Sequence, residues 1–141
     1  MADPQAPPTT WMQTDLGLTF FWDVRQLWAA DLPVVPMQVR ELEWLLDRPF
    51  WNEGPRNLAL RPRDVAANPE RYRADYERAT AADLTCPINV IHLRGRWVAM
   101  DGLHRLLKAW MCAHETILAK QAHEQHIPLF SRKPTDPSNH P

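Results

Sequence analysis

The stretch Pro87-Ile88-Asn89-Val90-Ile91-His92-Leu93-Arg94-Gly95-Arg96-Trp97-Val98-Ala99-Met100-Asp101-Gly102-Leu103-His104-Arg105-Leu106-Leu107-Lys108 holds three elements in succession. Two β-favouring runs on either side of Arg94-Gly95 predict a hairpin. Leu103, Leu106, Leu107, Trp110 and Met111 then recur at i, i+3, i+4, i+7 and i+8, the apolar stripe of an amphipathic helix. Between strand and helix lies Asp101-Gly102. A helix N-terminus presents unpaired N–H groups and a partial positive charge, and a glycine admits close backbone approach. Asp101 is expected to cap the helix. His104, Arg105 and Lys108 fall off the stripe within one turn of each other, so all three donors are expected in one region. From Arg94 to Lys108 there are four basic residues against one acidic. The turn therefore reads as a phosphate site.

Outward from this core, Ile117 to Ala119 predicts a short strand and Ile127 to Phe130 a last extended piece. Upstream, the β-favouring run from Leu18 to Leu27 predicts a strand. Val39, Leu42, Leu45 and Leu46 predict a helix from Pro36 that stops before Pro49. Pro49 to Leu60 reads as a functional loop, expected to close the pocket beside the 101–105 turn. A short helix over Arg63 to Ala67 and a second from Glu70 to about Ala79, capped by Asn68, complete the order. The fold class is α+β: a small mixed sheet packed with helices. One domain is expected over residues 16–131, between a disordered arm (1–15) and a flexible tail (132–141).

Composition narrows the partners. With 16 basic and 17 acidic residues the formal charge is −1, so no global field draws the chain to nucleic acid or lipid. Attraction must be local. No apolar run approaches the ~20 residues that span a bilayer, and Cys86 and Cys112 match no metal-ligand or CxxC spacing. These features predict a cytoplasmic protein with two buried thiols. His114, His123 and His126 lack a third ligand at dependable spacing, so no metal site is expected from them. Trp22, Trp28, Trp44 and Trp51 raise a second reading, a non-catalytic accessory module docking a protein partner through exposed tryptophans.

Pro87-Ile88, the hairpin and Asp101-Gly102-Leu103-His104-Arg105-Leu106-Leu107-Lys108-Ala109 resemble the ParB-like nuclease domain of the ParB/sulfiredoxin superfamily. The likeness covers about residues 58–130, with Leu60-Arg61-Pro62-Arg63-Asp64-Val65 resembling the segment that leads into the Pro-Ile strand. It implies a compact α+β fold whose turn holds a nucleotide, ATP or CTP with Mg²⁺, or another phosphorylated ligand. By the same resemblance Gly102, Leu103, His104, Arg105 and Lys108 would bind it, while Asp101 and His104 would serve phosphotransfer or hydrolysis. Glu41, Glu43 and Glu53 are candidates for a catalytic Glu by region alone. The departures exclude relatives. Leu103 stands where sulfiredoxins carry their catalytic Cys, so that nucleophile is missing. Gly-Leu-His-Arg replaces the Gly-Glu-Arg-Arg of segregation clamps, which argues against sequence-specific DNA binding.

Overall fold

The structure, a computed structural model, describes Gln5, Ala6, Trp11, Gln13 and residues 20–132. Its strands are β1 (Gln5–Ala6), β2 (Phe21–Asp23), β3 (Val34–Gln38), β4 (Trp51–Glu53), β5 (Arg56–Leu60), β6 (Ile88–Leu93), β7 (Arg96–Asp101), β8 (Thr116–Ala122) and β9 (Ser131–Arg132). Its α-helices are α1 (Val24–Ala29), α2 (Pro62–Ala67), α3 (Arg73–Ala81) and α4 (Leu103–Met111). The fold is mixed α and β. Four strands in the order β3-β8-β6-β7 form the main sheet, with β8 parallel to β6 and the other pairs antiparallel. β4 pairs with β5, and β2 lies between β1 and β9.

The predicted hairpin is present. Arg94 and Gly95 both take positive φ (48° and 78°), the conformation that matches a two-residue turn to the twist of its strands. Helix α4 buries Leu103, Leu106 and Leu107 as its stripe requires. Trp110 was expected to be buried too, but is only half-buried, with the Arg63 guanidinium 4.7 Å from its ring centre. α2 starts at Pro62 as anticipated, and β8 extends the strand expected at 117–119.

Other expectations are corrected. Leu18 and Thr19 lie outside the described residues; over 20–27 the strand covers Phe21–Asp23, because Asp23 accepts from the N–H groups of Arg25 and Gln26 and so starts α1. The helix expected from Pro36 is instead β3 followed by 3₁₀ turns over Val39–Glu41 and Glu43–Asp47; these still bury Val39, Leu42, Leu45 and Leu46. The segment 49–60 is a hairpin around Gly54, not a loop. Asn68 closes α2 instead of capping the next helix, and α3 begins only at Arg73. Glu124–Leu129 is 3₁₀, delivering the fully buried Phe130 to the core. Both cysteines are exposed and unpaired.

The terminal arm and tail lie largely outside the described residues. Within them, Gln5 and Ala6 pair with β2, and Trp11 packs edge-on against Trp44 and Phe50. No helix among the described residues is long and apolar enough to cross a membrane.

Candidate functional site

β6 runs down the middle of the sheet, and its first residues build the site. Asn89 pairs with Lys120 on β8 and with Asp101 on β7, so Lys120, Asn89 and Asp101 form one row across the sheet. The register explains the last pair. Val90 faces Ala99 while Asn89 faces Asp101, so β7 carries Met100 as an extra residue, a bulge that brings Asp101 alongside Asn89. The Asn89 Nδ2 donates to Asp101 Oδ2 at 3.1 Å, and the Trp28 indole N–H donates to the same oxygen at 2.9 Å. Lys120 Nζ donates to the carbonyls of Leu27 (3.3 Å) and Trp28 (2.8 Å), fixing the C-terminal end of α1 beside the row.

Asp101 is therefore not the helix cap. Gly102 is, at φ +103°, and a Cβ there would lie 2.5 Å from Ile88 Cγ2. The glycine is required both by its backbone angle and by the approach of α4 to β6. Leu103 points into the core and offers only its backbone to a ligand.

The three predicted donors diverge. Arg105 donates through NH1 to the Pro87 carbonyl at 3.3 Å and lies 3.9 Å from Asp101 Oδ2, with a side chain 28 % exposed. The His104 ring stacks on Trp51 (centroids 4.2 Å apart, planes at 14°), and its Nε2 meets Asp75 Oδ1 at 3.0 Å. Lys108 reaches away, donating to the Ala82 carbonyl at the end of α3 at 2.7 Å. A one-turn spacing on a helix was not enough to bring these groups together, because α3 and β4 each take one of them.

Two cavities meet at Arg105, Asp101 and Cys86. One, of about 330 Å³, lies over the polar row and is walled by Trp28, Cys86, Pro87, Asn89, Asp101, Arg105 and Lys120. The other, of about 270 Å³, lies at the start of α4, between Gly102, His104 and Arg105 on one side and Arg78 and Asp83 on the other. The Asp83 carboxyl ionises below its usual range, because the hydroxyl and backbone N–H of Thr85 both donate to it.

The hairpin β4–β5 borders the turn through Trp51, which stacks on His104. Glu53 accepts from Tyr72 Oη (2.6 Å), Arg71 (3.1 Å) and Arg56 (3.3 Å) and faces a separate cavity. Its bond raises the Tyr72 pKa, since the phenol must keep the proton it donates. Among the described residues no group of three or more His, Cys, Asp or Glu could hold a metal ion.

Asn89, Trp28 and Lys120 were not anticipated as site residues. Asn89 alone carried a signal, as the one polar residue in the otherwise apolar start of a strand. The chain matches no family model, no curated protein and no solved structure.

Proposed function

We propose that the chain is a ParB/sulfiredoxin-like domain that binds a nucleotide or another phosphorylated ligand where β7 turns into α4. The observation that carries this is Arg105. Its guanidinium sits at the junction of two cavities, beside the N-terminus of a nine-residue helix, and its contacts to the Pro87 carbonyl and to Asp101 are both made through NH1. A forked cation so held suits bidentate contact with phosphate. Arg78 and His104 line the same cavity, and Lys120 lies across the polar row.

Asp101 and Asp83 also line these walls, so a bare anion would meet repulsion there. A phosphate carrying Mg²⁺ would not. Mg²⁺ is commonly held by one or two carboxylates together with substrate phosphates, and the second oxygen of Asp101 suits that role. When bound, the ion would neutralise phosphate charge; Asp101 would hold it, Arg105 would hold the phosphate, and Asp75 would orient His104. Phosphotransfer or hydrolysis is compatible with these residues, and the proposal itself is binding.

Of the tryptophans named for docking a protein partner, Trp22 is buried and Trp44 and Trp51 pack against the core; only Trp28 is exposed, and it forms a wall of the cavity.

The test is a thermal-shift screen against ATP, ADP, CTP and GTP with and without Mg²⁺, followed by isothermal titration of Arg105→Ala. Loss of one charge-assisted contact worth about 1.5–3 kcal/mol should weaken binding about ten- to hundredfold. Arg71→Ala, at the separate Glu53 cavity, should bind as wild type. Unchanged affinity in a folded Arg105→Ala protein would place the site elsewhere.

A further inference from the structure

Asn89 is 3 % exposed and is the only polar residue among the fully buried ones described. Its amide orientation is settled by chemistry: the Asp101 carboxylate can only accept, so the NH₂ group must face it. That leaves Oδ1 buried without a hydrogen-bond partner. A buried unpaired acceptor is costly, and native proteins retain few of them. Asn89 is one of the residues that line the 330 Å³ cavity, at the middle of the row Lys120, Asn89, Asp101. Trp28 stands over the same cavity with its indole N–H pinned to Asp101 and 58 % of its surface exposed.

We propose that this cavity is the recognition lobe of the site, and that Asn89 is its specificity-determining residue, selecting a ligand whose organic part directs an N–H or O–H donor at Oδ1. This rests on the reading that phosphate binds at the neighbouring turn. The two cavities share Asp101, Arg105 and Cys86, so one ligand can place its phosphate at the start of α4 and its body over the row. The cavity is at the small end of ligand sites, sized for a single ring or sugar. The fixed Trp28 ring offers that body a flat face. Discrimination follows from the burial of Oδ1: a ligand without the donor leaves the acceptor unpaired.

The probes are adenosine 5′-monophosphate, its analogue with hydrogen in place of the amino group, ribose 5-phosphate and inorganic phosphate, all with Mg²⁺ present. Each is titrated into wild type, Arg105→Ala and Asn89→Leu. If none binds wild type, or if Arg105→Ala binds all of them as well as wild type does, the phosphate reading itself fails. If phosphate binding depends on Arg105, the expected result is that Asn89→Leu weakens at least one of the three organic phosphates, each of which carries an N–H or O–H donor, about ten- to hundredfold and leaves inorganic phosphate unchanged. Preference for the monophosphate over its deamino analogue, lost in Asn89→Leu, assigns the donor to the ring amino group. Equal binding of those two, with loss for both and for ribose 5-phosphate in the variant, assigns it to a sugar hydroxyl. Because Asn89→Leu also removes the bond to Asp101, the Asn89 side-chain carbonyl ¹³C resonance is followed in wild type. It should shift with the organic phosphates and stay still with inorganic phosphate. Affinities equal to wild type in a folded Asn89→Leu protein, or a resonance that no organic phosphate moves, overturn the proposal.

Discussion

Replacing Gly102 by alanine perturbs the turn without touching a charge. The backbone angle of +103° is one that a residue with a Cβ adopts at a cost of about 1–2 kcal/mol. The new Cβ would also lie 2.5 Å from Ile88 Cγ2, 2.8 Å from Ile88 Cβ and 3.1 Å from Ile88 Cα. Only the first atom belongs to a movable part of the side chain. The others belong to the central strand, so relief means displacing α4 from β6, and overpacking of this kind costs about 1–3 kcal/mol. Together the two terms come to about 2–5 kcal/mol, a large share of the ~5–15 kcal/mol that holds a typical domain together. Urea denaturation should show that loss, and a thermal scan a fall of about 6–15 °C. Adding Ile88→Ala to Gly102→Ala should return part of the loss by removing Cγ2, with a coupling of about 0.5–3 kcal/mol in the double-mutant cycle. A Gly102→Ala protein within 0.5 kcal/mol of wild type, on the order of an ordinary surface change, would refute the argument.

Lys108→Ala should cost about 1.5 kcal/mol by deleting the charged bond to the Ala82 carbonyl, while phosphate affinity, measured by titration, stays at the wild-type value. Phe130→Ala empties a fully buried position and should cost about 3–5 kcal/mol in chemical denaturation. Acid should act through Asp64 and Asp83, whose carboxyls ionise below the usual aspartate value: Asp64 through its bonds from Arg61, Asp83 through those from Thr85. A depressed folded pKa means that their stabilisation is complete above the unfolded value near ~4 and is lost as pH falls through the lower folded value. The stability gap between wild type and Asp83→Asn should therefore be constant from about pH 7 to pH 5 and close below about pH 4. A gap that widens on acidification would contradict the sign.

The hairpin and α4 were legible because each rests on local chemistry: a two-residue turn with Gly95, and a stripe at helical spacing. Where tertiary contacts decided, the pattern misled. Val39, Leu42, Leu45 and Leu46 are spaced for a helix and are all buried, yet β3 extends through Gln38 along β8, taking the start of the expected helix, and the chain beyond it forms 3₁₀ turns. Asp101 has the chemistry of a cap, but the bulge at Met100 turns it toward Asn89 and Trp28. The site's other half was illegible in the sequence because it depends on sheet order: Trp28, Asn89 and Lys120 lie far apart in the chain and meet only where α1, β6 and β8 lie together.

The start of β6 has a consequence for the timing of binding. Pro87 anchors Arg105, Ile88 sets the height of α4, and Asn89 holds Asp101, so the first two residues of the central strand and the one before them fix most of the site. Amides in such a strand exchange with solvent only when the domain unfolds as a whole, and a site built on it is already shaped before any ligand arrives. The exposed wall of the site is Trp28 near the end of the six-residue α1, and its indole N–H is itself held by Asp101. Entry and escape should then need no opening of the domain, and association should show no slow conformational phase.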